Sequence, residues 1–476
     1  MNIRALLILA GAAAVLWSVR RWRQAVQLVM FLLICEGAIR KWIFPGAQDL
    51  IYFAKDVFLL GAYIGFFRER SRLRSRLPAI PGLAALLVIA SLYGLFEVVN
   101  PLLPNVLVGI LGFKAYFFYV PLLWVVPATF SSGEELARFL RRYALTAIPV
   151  GLLAMTQFVS SPTSVLNTYA RPGDGEMFYA TTFGSSSFVR VTATFSFITG
   201  YTSYLVAAMI LILGILAATR WRFRGNLLLF AALAMTLLGI SMTGSRGPLI
   251  LLVAILPLYW WLIVAREAGG GAVFGRVIIA LTVVLGLVSY ADQGAIDAFY
   301  GRAINVSDVP DRLAAPFQQP FDLLIHGGIL GFGIGATHQT AAAVTKGIPP
   351  YSWTHGIVVE GETGRIMLEL GGIGFLLIYL IRFYLPLLAL SQLRTLRVRY
   401  FRAIATSCAL FLLAQIPGSV VFDFVTGVYY WFFAGLLMLV IQLDREAVRA
   451  ATAARAAAPA PEPSAQPVPA WHARSG

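Results

Sequence analysis

The stretch Ala5-Leu-Leu-Ile-Leu-Ala-Gly-Ala-Ala-Ala-Val-Leu-Trp-Ser-Val19 carries no charge, while Arg4 precedes it and Arg20, Arg21 and Arg23 follow it. Such a block has no charged face with which a soluble helix would meet water, so it reads as a helix set among apolar groups. A secretory signal peptide carries its main charge before the apolar run. Here the larger charge follows, and the block is expected to be retained.

The same pattern, an apolar block closed by a short arginine cluster, recurs along the chain. Of 476 residues, 59% are hydrophobic and 12% charged, with a mean hydropathy of +0.78. A soluble domain carries about 25% charged residues. A bilayer core of about 30 Å needs about 20 apolar residues per helix. Thirteen candidate blocks centre near Ala12, Phe31, Leu60, Val88, Phe117, Val150, Met209, Ala232, Ile255, Val284, Leu376, Phe411 and Leu436. The expected fold class is all-α: a polytopic transmembrane helix bundle of about 13 spans.

A net charge of +15 raises nucleic acid as a partner, but the arginines lie in short loops between apolar blocks and form no basic domain. That placement follows the positive-inside rule and predicts membrane lipids as partners, with no nucleic acid. If the run Arg68 to Arg76 is cytoplasmic and the spans alternate, the clusters Arg20–Arg23, Arg138–Arg142, Arg220–Arg224, Arg266–Arg276 and Arg394–Arg402 all fall inside. The N-terminus is then outside and the C-terminus inside. The two cysteines, Cys35 and Cys408, sit in separate apolar blocks and give neither a metal spacing nor a disulfide framework.

Six segments follow: N-terminal transmembrane helices (1–159), an extracytoplasmic loop (160–196), central helices (197–291), a large extracytoplasmic loop (292–364), C-terminal helices (365–446) and an Ala/Pro-rich cytoplasmic tail (447–476) expected to be disordered. The mixed Trp, Tyr, Phe, Pro and Gly content of both outer loops predicts partly folded caps. No internal repeat is evident, which weakens transporter readings built on inverted repeats.

Cations that the rule does not place outside carry the functional argument. Arg40, Lys41, Lys55, Arg171, Arg190, Arg246, Arg302, Arg312, Lys346 and Arg365 fall on the outer side, and Lys114 lies within the fifth block, roughly two turns below its outer end. A cation beside membrane is costly and usually faces a polar interior. Arginine grips phosphate bidentately, so an interfacial lipid diphosphate is the expected anion. Snorkelling to headgroups or pairing with Glu36, Asp49, Asp56, Glu97, Glu360, Glu362, Glu369 or Asp423 is the plainer alternative. Asp56 beside Lys55 reads as a structural pair. Of the histidines, His326, His338 and His355 share the large loop, His472 the tail, and none has metal spacing. A catalytic or substrate-contacting role is open to His338 or His355. Gly331-Phe-Gly-Ile-Gly335 lacks the strand–turn–helix setting of a dinucleotide site, and no Walker loop or Gly-x-Ser-x-Gly elbow occurs.

Four segments together resemble the O-antigen ligase and polymerase superfamily of bacterial membrane glycosyltransferases. Arg190-Val-Thr-Ala-Thr-Phe195 is similar to an Arg-x-x-Gly-Thr-Phe segment, and Thr243-Gly-Ser-Arg-Gly247 to a Ser-Arg-Gly turn. Gly331–Gly335 is similar to a glycine-rich loop segment, and Glu360–Gly374 to the block entering the next span. The resemblance spans roughly Arg190 to Leu380. Arg40-Lys-Trp-Ile-Phe-Pro45 and Lys55-Asp56 also look like an exopolysaccharide-associated branch.

The resemblance implies a GT-C-like enzyme of the bacterial inner membrane, working at its outer face without metal or cofactor. A polyprenyl-diphosphate-linked oligosaccharide is its donor, and flippase and export proteins are implied partners. Arg190, Arg246 and Arg365 fall where family arginines hold the diphosphate, with Lys114 and Arg40 as further candidates. Glu360 or Glu362 is the candidate general base. The family's His-Asn block start falls here on Glu360, and His355 lies five residues too early. That departure favours a polymerase over a ligase. Ala193 replaces the usual glycine. A transporter or flippase of a lipid-linked sugar, or a scaffold without activity, are the readings from other classes.

Overall fold

The computed structural model describes residues 3–73, 80–170, 178–182, 188–219, 223–259, 261–262, 309–338, 341–345, 348 and 352–457. The block around Val284, the cluster Arg266–Arg276, the cations Arg171, Arg302 and Lys346, and His472 lie outside these. For Asp49, Arg246 and Arg312 only the backbone is described.

The described chain is overwhelmingly helical. Its helices are α1 (Ile3–Arg20), α2 (Trp22–Ala38), α3 (Gln48–Tyr52), α4 (Ala54–Leu73), α5 (Pro81–Val98), α6 (Val106–Phe117), α7 (Leu122–Thr129), α8 (Gly133–Leu145) and α9 (Ala147–Val159). After the first long loop come α10 (Ile198–Ala218), α11 (Phe223–Met242) and α12 (Arg246–Tyr259). The remainder are α13 (Val309–Gly327), α14 (Ala341–Val344), α15 (Glu362–Gln392), α16 (Arg399–Ala414) and α17 (Phe424–Ala457). Twelve of the thirteen expected centres fall on these helices, and the other lies outside the described residues.

Among the described residues, five helical stretches are long and apolar enough to cross a membrane: Gly133–Val159, Ile198–Ala218, Gly225–Met242, Glu362–Gln392 and Phe424–Ala454. A sixth forms if α6 and α7, bent by 44°, count as one. By length and composition the protein is therefore a multi-pass helical membrane protein. Its surface agrees: Val88, Leu92, Leu95 and Phe96 of α5 and Leu376, Leu380, Phe383 and Leu387 of α15 are exposed. In water such a face would drive association, whereas lipid solvates it.

Local sequence sets several helix ends. Ser132 caps α8 by accepting a hydrogen bond from Glu135 N at 3.2 Å, and the Glu135 carboxylate accepts from Ser131 N at 2.9 Å. That reciprocal arrangement satisfies otherwise orphaned donors. Asn105 caps α6 through Leu107 N at 2.8 Å. Helix α8 is amphipathic, burying Leu136, Phe139, Leu140 and Tyr143. Helix α17 runs to Ala457, so 447–457, which composition assigned to the disordered tail, is helical. The stretch Arg445-Glu-Ala-Val-Arg-Ala-Ala-Thr-Ala-Ala-Arg-Ala-Ala457 is rich in the strongest helix formers, and this outweighs the absence of apolar periodicity.

Helix α10 is the hub, buried along almost its whole length and packed on α11, α16 and α17. The bundle has two chemically distinct ends. At one end Arg399 donates to Ala217 O of α10, Arg141 donates to Gly225 O, and Asp444 accepts from Arg397 N and Val398 N. The clusters Arg138–Arg142 and Arg394–Arg402 gather there. The other end is formed where α2 gives way to Arg40, where α10, α15 and α17 begin, and where α11 and α16 finish.

The first outer loop carries a small antiparallel pairing, β1 (Thr168–Tyr169) with β2 (Phe178–Tyr179), and a bridge between Thr182 and Val189. In the second, α13 lies along α15.

Candidate functional site

Helix α15 breaks at Gly371, whose φ is +60°, and the glycine-rich loop lies against that break. Phe332 N donates to Leu368 O at 2.8 Å and Gly333 N to Glu369 O at 3.0 Å. Gly372 N donates to Gly328 O at 3.1 Å. Gly331, Gly333 and Gly335 hold φ values of +85°, +101° and +90°, which L side chains rarely adopt. A Cβ on Gly335 would also collide with the backbone of Gly112 in α6. The motif that looked like a nucleotide fingerprint is thus a backbone device, thin enough to pass between α6 and α15.

That passage fixes the next residues. Glu369, fully buried, accepts from Gly335 N at 3.1 Å, from Thr337 N at 2.8 Å and Thr337 Oγ1 at 2.6 Å, and from Tyr116 Oη at 2.9 Å. Its oxygens are committed to holding the loop. One turn earlier Arg365 donates through Nε to Thr337 Oγ1 at 2.9 Å and through Nη2 to Thr337 O at 2.5 Å. Its guanidinium carbon sits 3.5 Å from the centre of the Phe422 ring. Among the described residues Arg365 makes no ion pair. It is a buried cation positioned by neutral groups.

His338 follows Thr337 and is held near Arg365 and Lys114. Burial and those two positive charges push its imidazole down to about 3. It is therefore neutral at physiological pH. Its ring centre lies 5.8 Å from that of Phe424. On the same ring, Lys114 Nζ lies 4.2 Å from the centroid. Lys114 is paired with Asp56 at 2.6 Å, and Asp56 also accepts from Tyr119 Oη at 2.7 Å. Phe53, Tyr52 and Tyr119 complete an aromatic enclosure around the ammonium, at 5.0, 5.7 and 6.0 Å.

Tyr52 carries the cluster onward. Arg40 and Lys55 lie over its ring at 5.1 and 4.7 Å. Both face Glu36, Lys55 at 3.0 Å and Arg40 at 3.8 Å. Arg40 Nη1 also donates to Ser196 Oγ at 2.9 Å. Lys41 Nζ donates to Thr192 Oγ1 and Ala193 O at 3.1 and 2.6 Å. These bonds attach the N-terminal cations to the Arg190–Phe195 segment.

Arg190 turns away to the Ser-Arg-Gly turn. Its Nε donates to Thr243 O at 3.0 Å and its Nη2 to Ser245 Oγ at 3.2 Å. Val191 N donates to Met242 O. Arg190 is thus fastened one residue from Arg246, which opens α12. Ala193, where the resembled pattern has glycine, is buried with φ at +47°. The backbone keeps a glycine-like conformation although the residue has changed.

The structure therefore brings Arg40, Lys114 and Arg365 into one neighbourhood and links Arg190 to it along the chain. Of the two candidate bases, Glu362 and Glu360 sit in different surroundings. Glu362 is buried and pairs with Arg382, while its carboxylate accepts from Val420 N, Val421 N and Phe422 N at 2.9, 2.9 and 3.0 Å. Every lone-pair direction is used to pin the segment that carries Phe422. It is an anchor with no oxygen left to take a substrate proton. Glu360 is exposed just before α15. His355 is exposed, with its ring 5.5 Å from Phe332, and His326 is exposed at the end of α13. Asp423 is likewise engaged, capping α17 through Val425 N and accepting from Ser203 and Thr426. No motif or charge marks Tyr52, Thr337, Phe422 or Phe424 in advance, because they are recruited from three segments far apart in sequence.

No protein-family model matches the chain, and no curated protein matches it in sequence.

Proposed function

We propose that the protein is a polymerase of polyprenyl-diphosphate-linked oligosaccharide repeat units, working at the outer face of a bacterial inner membrane. The observation that carries this reading is Arg365: a buried guanidinium that makes no ion pair among the described residues and shares with Lys114 the surroundings of a neutral histidine. An anion that arrives on a lipid has the right charge and the right route to reach it. The thirteen-span count, the GT-C-like architecture and the N-out, C-in orientation belong to the same proposal. The gathering of the dense arginine clusters at the opposite end supports the orientation.

In this mechanism the donor's diphosphate is the leaving group. Negative charge grows on it as the glycosidic bond breaks, and Arg365 and Lys114 stabilise that charge, with Arg40, Arg190 and Arg246 as further candidate contacts to the donor. Fixed charge of this kind is usually the largest catalytic contribution. The acceptor hydroxyl must lose a proton. His338 is the best placed group to take it, because its imidazole is neutral and its surroundings become less positive once the diphosphate is bound. Glu360 is the remaining carboxylate candidate.

The same histidine supports a second reading, an O-antigen ligase-type transferase. Sequence spacing disfavoured that form for want of a histidine at Glu360, yet His338 reaches the site from elsewhere in the loop. Product banding separates the two. Loss of a polymerase leaves single repeat units, whereas loss of a ligase leaves long polymer on its carrier. Arg365→Ala and Arg246→Ala variants that insert normally but leave polymer amount and length unchanged would sink both readings.

A further inference from the structure

Helix α15 begins at the candidate site and, beyond its break at Gly371, runs 21 residues further to Gln392, about 30 Å at 1.5 Å per residue. There, between the ends of α10, α12, α15 and α16, lies a cavity of about 460 Å³. Its lining combines Arg394, Arg399 and Arg402 with the apolar Leu390, Leu393 and Trp261. Arg399 is oriented by donating from both Nε and Nη2 to Ala217 O, at 3.1 and 2.8 Å. Among the described residues no carboxylate pairs with Arg394 or Arg402.

We propose that this cavity binds the phosphate headgroup of an anionic phospholipid, with an acyl chain along Leu390 and Leu393. Arg394 and Arg402, with Arg399 fixed beside them, call for phosphate oxygens, which the guanidinium fork matches. The apolar wall calls for a hydrocarbon chain joined to that phosphate, a demand no free inorganic anion meets. An exposed indole at the rim, Trp261, suits the headgroup level, where such rings concentrate. Basic pockets between spans at the arginine-rich side of a membrane protein are suited to such lipids. The lipid would tie α15, which begins at the candidate site, to α10 and α16.

Purified, delipidated full-length protein is titrated with cardiolipin, phosphatidylglycerol, phosphatidylcholine or inorganic phosphate, followed by melting temperature and by retained lipid in native mass spectrometry. The expected result is retention and stabilisation by the two anionic lipids and not by phosphatidylcholine or phosphate. Arg394→Gln/Arg402→Gln should lower anionic-lipid affinity at least tenfold while melting like wild type in phosphatidylcholine. Equal response of wild-type protein to phosphatidylcholine and cardiolipin overturns the proposal without recourse to any variant. So does stabilisation by inorganic phosphate equal to that by lipid, which would make the site one for a soluble anion. Undiminished cardiolipin retention in the folded double variant places the lipid elsewhere and overturns it too. None of these readouts depends on polymer synthesis, so they stand apart from the proposed activity.

Discussion

Arg365 stacks on Phe422 at 3.5 Å while its fork grips the hydroxyl and carbonyl of Thr337. Two segments far apart in sequence thus fix one guanidinium in plane and in depth. A lysine has the charge but neither the planar face nor the fork. Arg365→Lys should therefore lose polymer synthesis almost as fully as Arg365→Ala, by about a hundredfold or more. Rates of chain extension in membranes with matched protein levels check this. Retention of most activity by the lysine variant would reduce the site to a simple point charge.

Glu362 is predicted to matter for stability and not for turnover. Removing one partner of a buried pair leaves an uncompensated charge and costs about 3–5 kcal/mol. Glu362→Gln should thus lower the melting temperature in detergent substantially. Arg382→Gln added to it should recover much of the loss, since amide oxygen can still accept from the 420–422 backbone. A Glu362→Gln protein of normal stability but no turnover would restore this carboxylate as a base.

His338 carries a pH signature. Its folded value of about 3 lies below the roughly 6.5 of an unfolded histidine. Between those limits the unfolded chain binds more protons, so stability falls as pH is lowered from about 6.5 toward 3. His338→Gln should flatten that dependence. In catalysis, bound diphosphate offsets Arg365 and Lys114, so the acid limb of kcat should lie at higher pH than that of kcat/KM. An unchanged acid limb in His338→Gln, but a lost one in Glu360→Gln, would transfer the base role to the exposed carboxylate.

Ala193 holds a conformation that costs a residue with a Cβ about 1–2 kcal/mol. Its N–H donates to Gln157 at 2.7 Å and its carbonyl accepts from Lys41. The surrounding bonds hold the backbone there in spite of the strain. Ala193→Gly should therefore raise the melting temperature by a few degrees with activity intact. A lower melting temperature would mean that the methyl packing outweighs the strain.

Periodicity and charge revealed the helices because lipid imposes a uniform apolar demand along each span, and twelve expected centres lie on helices. The extension of α17 past Arg449 escaped that signal, since an Ala-rich helix leaving the bundle has no apolar stripe. Counting outer cations singled out Arg365, Lys114 and Arg40, as the membrane rule does not account for them. It could not separate Glu360 from Glu362, because burial against Val420–Phe422 depends on a contact nearly sixty residues away in sequence. Nor could it choose between His338 and His355, because the partners of His338 are spatial neighbours on α6, α15 and α17.

The pair of Lys114 with Asp56 separates holding from chemistry. Both side chains are largely buried, and Tyr119 supports the carboxylate. Lys114→Gln leaves Asp56 without its counter-ion and should impair both stability and activity. Lys114→Gln/Asp56→Asn removes the charges together, so hydrogen bonding to Tyr119 persists and stability should return toward wild type. Activity should not return, since the ammonium that faces Phe424 and His338 is gone. Melting temperature and extension rate measured on the same preparations give the answer. Recovery of both in the double variant would make Lys114 a structural residue, leaving Arg365 to hold the diphosphate with the remaining cations.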